Sequence, residues 1–171
     1  SEGSAATNRR LVGEVDVLLG NEEDFSAALG FELEGPGEAQ AGLDLGAYET
    51  LHRDVLAAYP NLALVATSLR EAHTATVNDW SAGASTRDAF FVGPTMPGLE
   101  IFDRVGGGDS FASGLIYGLL QGNDVPTALA YGVAHGALAM TTPGDTSMAA
   151  LDEVERGMAG GGAPMARSGW K

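Results

Sequence analysis

Short apolar runs alternate along this chain with longer stretches in which apolar residues return every three or four positions. Val15, Val17, Leu18 and Leu19 form a run of buried-strand type that stops at Gly20 and Asn21, and Glu22 to Leu29 follows with helical composition and acids in its first turn. The spacing of Leu45, Tyr48, Leu51, Val55 and Leu56 predicts a helix over 45–58, closed by Pro60 and Asn61. Leu62 to Ala66 reads as a central strand covered on both faces. Thr74 to Trp80 and Asp88 to Val92 read as two further strands around a turn at Gly83. Over 109–120, Phe111, Leu115, Ile116, Leu119 and Leu120 keep a helical period, with Ala112, Ser113, Gly114 and Gly118 between them; a helix so small on one side packs its backbone close to a neighbour. Asp124 caps a further helix, with Pro126 in its first turn, that runs to Met140 and is apolar nearly all round, hence buried. A last helix spans about 149–158.

Strands alternating with helices at this spacing predict an α/β fold with a mainly parallel sheet, whose sites lie at the carboxyl ends of the strands. The polar start, residues 1–11, reads as a disordered end, 31–46 as an exposed loop and the Gly-rich 159–171 as a flexible tail, so that 12–158 is the folded domain.

Charge then narrows the partners. The 171 residues carry 9 basic and 23 acidic side chains, a formal charge of −14, which repels phosphate backbones and anionic lipid; neither nucleic acid nor membrane is expected as a partner. With no apolar run of about 18 residues and no basic-then-apolar leader, the chain reads as cytoplasmic. There is no cysteine, which removes disulfides, thiol catalysis and thiolate metal sites, and the only lysine is Lys171. A GxxxxGK[ST] loop, a Schiff-base lysine and the strand lysine of protein kinases are therefore excluded. Phosphate chemistry here must rest on backbone amides, arginine or a metal.

The segment Asp103-Arg104-Val105-Gly106-Gly107-Gly108-Asp109-Ser110-Phe111 precedes the close-packed helix. Glycines before a helix let backbone amides turn inward, and the helix end adds about half a positive charge, so this is an anion site. A carboxylate at such a place has two readings. Asp109 is either a helix cap or the acceptor of a proton from an attacking hydroxyl.

These residues resemble the D-T-x-G-A-G-D signature of the ribokinase-like (PfkB-type) carbohydrate kinases. The similarity continues through Ser110-Phe111-Ala112-Ser113-Gly114, Ala128-Leu129 and Thr142-Pro143-Gly144-Asp145, and upstream through Asn21-Glu22-Glu23-Asp24, which is similar to the family's N-x-x-E motif. With Ser68-Leu69-Arg70-Glu71 and Asn78-Asp79-Trp80, the set is most similar to 2-keto-3-deoxygluconate kinases.

The resemblance implies a ribokinase-like, Rossmann-type sandwich and ATP-dependent phosphoryl transfer to a small sugar acid. It implies Asp109 as the base and the amides of Gly106, Gly107 and Gly108 as the hole that stabilises the transferred group. Asn21 and Asp24, with Glu23 as a substitute, would organise Mg²⁺ through water. Thr67, Ser68 and Arg70 would face the nucleotide, while Val133 and His135 would border the adenine. Asp103 and the carbonyl of Val105 would hold a monovalent cation, K⁺, as in relatives, although Arg104 replaces the family's Thr.

The family's amino-terminal half, with its Gly-Gly sugar signature and lid sheet, has no counterpart here. The resemblance thus implies a carboxyl-terminal half, a fragment inactive alone; a nucleotide-binding or interaction module of the same fold is the alternative. A homo-oligomer is compatible with either. Gly108-Asp109-Ser110 also resembles a GDS-type esterase start, but His52, His73 and His135 follow Glu49, Arg70 and Gly132 at the relevant spacing, so no D-x-x-H exists.

Overall fold

A computed structural model of the chain describes residues 2–33, 44–144 and 146–160. Among them the elements are α1 (Glu2–Val12), β1 (Val17–Gly20), α2 (Glu22–Asp24) running into a π-helical turn (Phe25–Leu29), α3 (Leu45–Ala58), β2 (Leu64–Ala72), β3 (Val77–Ser85), β4 (Phe90–Val92), β5 (Met96–Glu100), α4 (Gly107–Leu120), α5 (Val125–Met140) and α6 (Leu151–Met158). They form two compact units: residues 1–69 with 82–92, and residues 70–81 with 93–171. Both β2 and β3 contribute to each.

In the first unit the strand order is β1-β2-β3-β4. β1 pairs parallel with β2, from Val17 opposite Leu64 to Gly20 opposite Thr67, and β3 pairs antiparallel with β4, from Gly83 opposite Val92 to Ser85 opposite Phe90. The α/β class holds, but the sheet expected to be mainly parallel is mixed. α3 has the bounds its spacing predicts, with the Asp44 carboxylate accepting from the Ala47 amide at 3.2 Å. It packs Leu51, Val55 and Leu56 onto Phe25, Leu29, Leu62 and Val65 in one apolar core.

Two expectations are corrected in this unit. The start of the chain is a helix and not a disordered end: Val12 enters the core, and the Arg9 Nε donates to the Leu29 carbonyl at 3.3 Å. Only one apolar residue of α1 is needed to seat it, too few to make a periodic signal. Nor is Gly83 a turn. It lies within β3, where an added Cβ would stand 3.0 Å from the Phe90 ring, so the glycine is there to let an aromatic lie across the strand. The reversal comes later, at residues 86–89, where the Thr86 amide donates to the Ala89 carbonyl. Most of the loop expected over 31–46, and all but the first two residues of the tail expected over 159–171, lie outside the described residues.

In the second unit β5 pairs antiparallel with β3, Val77 opposite Glu100, Asn78 opposite Leu99 and Trp80 opposite Met96. Between the last two pairs Asp79 alone faces Pro97 and Gly98, and the extra residue of β5 belongs to a bulge that Gly98 accommodates at φ +63°. α4 and α5 approach through glycine: a Cβ at Gly114 would stand 2.5 Å from the Tyr131 carbonyl oxygen, and one at Gly118 2.6 Å from the Ala128 Cα. α5 starts at its expected cap, the Asp124 carboxylate accepting from the Thr127 amide at 2.9 Å. α6 seals the unit by burying Val154 against Ala134 and Leu138.

Candidate active site

The glycine segment connects β5 to α4, and α4 begins two residues earlier than its apolar period indicates. Gly106 is the cap residue, in the left-handed region at φ 83°, and Gly107 and Gly108 are already helical. The Asp103 Oδ1 accepts from the Val105 amide at 2.9 Å, the Arg104 carbonyl from the Gly107 amide at 3.4 Å and the Gly106 carbonyl from the Ser110 amide at 2.9 Å. This winds the chain tightly into the helix. No side chain caps its amino end, so the amides of the first turn face outward with the positive end of the helix dipole behind them.

Asp109 is the third residue of α4, exposed, and makes no capping hydrogen bond. The reading of Asp109 as the cap is therefore corrected: backbone geometry at Gly106 performs that task. The carboxylate is left projecting from the first turn of an amide-rich helix end.

The three glycines have different physical origins. Gly106 needs its positive φ, which an L side chain adopts at a cost of about 1–2 kcal/mol. At Gly107 a Cβ would meet the Met140 Cγ at 2.7 Å. At Gly108 a Cβ would meet nothing within 4 Å, and its backbone is helical. The fold gives no reason for that glycine, and a helix interior disfavours it by about 1 kcal/mol relative to alanine.

Arg104 ties this turn to its surroundings, one guanidinium nitrogen donating to the Ala75 carbonyl at 2.8 Å in the loop between β2 and β3. Within the same unit His73 and Asp79 form an ion pair at 3.0 Å, and the Gly98 amide donates to the Asp79 carboxylate at 2.7 Å. The hydrogen bond His73 donates to Asp79 raises the pKa of His73, and the Gly98 amide followed by His73 lowers that of Asp79.

The remaining expected residues divide. Thr67 is fully buried within β2, its Oγ1 2.6 Å from the His52 Nε2, and Val133 is fully buried with its carbonyl accepting from the Trp80 Nε1 at 3.2 Å. Both side chains are buried within the fold, Thr67 on β2 and Val133 on α5. Ser68 is half-buried in the first unit and Arg70 exposed in the second. His135 is half-buried, its Nε2 2.9 Å from the Ser147 Oγ, and burial lowers its pKa against the opposing effect of a hydrogen bond to the Ser110 backbone. Asn21 and Asp24 form a reciprocal capping box, Asp24 amide to Asn21 Oδ1 at 2.8 Å and Asn21 amide to Asp24 Oδ2 at 2.9 Å, with Glu23 exposed between them. These three belong to the first unit and the glycine turn to the second. Among the described residues, no three His, Asp or Glu side chains converge as a direct metal site.

Two buried polar residues, His52 and Asn78, were given no site role from the sequence. His52 stands on the apolar face of α3, and its signal was a histidine at a core position of a helical period. Asn78 lies in the Asn-Asp-Trp segment, where an amide in a strand flanked by Val77 and Trp80 was the available sign.

Residues 2–152 match the pfkB family of carbohydrate kinases. The chain is 43% identical over 68 residues to a 2-dehydro-3-deoxygalactonokinase of Haloferax volcanii, covering 40% of this chain and 21% of that one. It is 37% identical over 67 residues to a 5-dehydro-2-deoxygluconokinase of Geobacillus thermodenitrificans, covering 39% and 20%. The crystal structure of 2-dehydro-3-deoxygluconokinase from Thermotoga maritima superposes with a TM-score of 0.78 at 33% identity, covering 91% of this chain and 46% of that one. The chain therefore spans less than half the length of this solved relative. With the glycine signature, the helix it opens and the fold all in agreement, this chain belongs to the PfkB family of carbohydrate kinases.

Proposed function

We propose that this chain is the nucleotide-binding part of an ATP-dependent kinase that phosphorylates a hydroxyl of a keto-deoxy sugar acid of the 2-keto-3-deoxygluconate type. The observation that carries this reading is Gly108, a glycine in a helical turn with open space where its side chain would be. A residue that weakens its helix and relieves no internal contact is accounted for by a ligand approaching the backbone there. Uncapped amides and a helix dipole suit that ligand to be the phosphates of ATP.

In this reading the amides of Gly106, Gly107 and Gly108 stabilise charge on the transferred phosphoryl group, a task backbone donors can perform without a lysine. Asp109, on the same turn, takes the proton of the acceptor hydroxyl. Mg²⁺ supplies neutralisation of the phosphate charge. Asn21, Glu23 and Asp24 offer it the hard oxygen donors it accepts through water, the capping box fixing one oxygen each of Asn21 and Asp24. Thr67, Ser68, Arg70, Val133 and His135 are the residues assigned to the nucleotide, of which Ser68, Arg70 and His135 are not fully buried. Asp103 and the Val105 carbonyl remain as the holders of K⁺, with one Asp103 oxygen already committed to the Val105 amide. The sugar-acid class is supported by the names of the relatives and by the Asp103–Phe111 segment.

An NMR titration of the chain with ATP and Mg²⁺ tests the reading. The amide resonances of Gly106, Gly107 and Gly108 should shift on saturation. A folded sample in which they stay fixed overturns it.

A further inference from the structure

Asn78 is 1% exposed, and both its side-chain nitrogen and its side-chain oxygen are buried without a hydrogen-bond partner. An amide left so inside a fold loses its water hydrogen bonds and regains none, which makes it among the most costly ways to occupy a core position. Leucine would have the same branching, with larger end groups, and no such cost.

Its place in the second unit is well defined. The bulge in the β3–β5 ladder lies on β5, so β3 keeps its regular alternation and Asn78 shares a face with Trp80. That face is the one α4 and α5 cover: Trp80 donates to the Val133 carbonyl and stacks edge-on against Phe111, and a Cβ at Gly136 would touch both the Trp80 ring and the Gly107 carbonyl. One same-face step from Trp80, Asn78 lies where β5 ends. Its neighbour Val77 pairs with Glu100, the Ile101 amide donates to the Thr76 carbonyl at 2.7 Å, and the chain then enters the Asp103–Gly108 turn.

We infer that Asn78 is a positioning residue for the glycine turn, whose amide is satisfied when the turn closes on an anion. The inference rests on the nucleotide reading above. Without ligand the Gly107 amide donates to the Arg104 carbonyl at 3.4 Å, so turning that amide to an anion leaves the carbonyl in need of another donor. Asn78 offers a buried donor and an acceptor on the strand next to the connection. Its cost in the unliganded fold is recovered in the liganded one, so the residue couples anion binding to the shape of the turn.

The test compares the 171-residue chain with Asn78→Leu and Asn78→Thr in thermal melts and in ATP·Mg²⁺ titrations. Asn78→Leu should melt about 3 °C or more above the unsubstituted chain without ligand, because an unsatisfied polar group is gone, yet bind ATP·Mg²⁺ about tenfold more weakly. Asn78→Thr, which keeps a donor and an acceptor on a strand-forming residue, should recover part of that affinity. A residue with only a structural role does not move stability and affinity in opposite directions. Equal affinity in Asn78→Leu and the unsubstituted chain overturns the inference alone. So does an unliganded Asn78→Leu that unfolds or melts no higher, or an Asn78→Thr that binds no better than Asn78→Leu. If the unsubstituted chain binds no ATP, the nucleotide reading falls first and this inference with it.

Discussion

The Nε2 of His52 lies 2.6 Å from the Oγ1 of Thr67, joining α3 to β2 inside the first unit with both residues wholly shielded from water. The Nδ1 is 3.1 Å from the Ser85 Oγ, so the ring bridges two strands from one helix, and Phe25 and Phe90 flank it with centroids at 6.2 and 5.8 Å. A hydroxyl both accepts and donates, so the neutral imidazole is matched at each nitrogen in either tautomer.

Burial pushes the pKa of His52 down to about 4. The folded state therefore holds the ring neutral while the unfolded chain protonates near the ordinary 6.5, and the unfolded state binds the extra proton between those values. Stability from this residue is complete above about pH 6.5 and declines as pH falls towards 4, by about 3 kcal/mol in all. Urea denaturation at a series of pH values should show that decline, and His52→Gln should flatten it.

The glycine turn gives opposite expectations for adjacent substitutions. Gly107→Ala should destabilise the chain by about 1–2 kcal/mol, because its methyl meets Met140. Gly108→Ala should leave stability unchanged or raise it by up to about 1 kcal/mol, because nothing inside the fold opposes the methyl. ATP affinity should nevertheless fall for Gly108→Ala. Chemical denaturation paired with isothermal titration calorimetry separates the two effects.

Gly114→Ala should be the more damaging change, at about 3 kcal/mol, because the obstacle is the backbone of Tyr131 and Gly132 and cannot rotate aside. The midpoint of urea denaturation reads this directly.

Asp109→Asn should change stability by less than about 1 kcal/mol, since the side chain caps nothing and only its interaction with the helix dipole is lost. Joined to an acceptor-binding half from a family member, the same variant should transfer phosphate roughly 10² to 10⁴-fold more slowly while ATP binding persists. Steady-state turnover close to that of the unsubstituted chimera would remove Asp109 from the role of base.

The sequence carried its long, strongly patterned elements clearly. α3 and α5 keep an apolar period and begin at aspartate caps, Asp44 and Asp124, so local chemistry and packing agree. Where a residue served a distant neighbour, local reading failed. Gly83 looked like a turn because its Phe90 partner is invisible in a window of a few residues, and α1 looked disordered because its ties, Val12 in the core and Arg9 to the Leu29 carbonyl, are to distant residues. The glycine turn into α4 was legible because glycines, helix and acid lie within nine consecutive residues. The burial of Thr67 and Val133 was not, because it depends on what covers the other side of β2 and α5.

The near-contact of α4 and α5 has a consequence for motion. With Gly114 and Gly118 set against the backbone of Tyr131 and Ala128, neither helix can slide or rotate on the other without collision, and neither can fray inward alone. Amide hydrogens along both should exchange with solvent together, as one opening unit slower than the glycine turn at its end. The amides of the glycine turn are thus fastened to a closely packed pair of helices, so any change of shape in the turn falls to the few residues between Ile101 and Gly106.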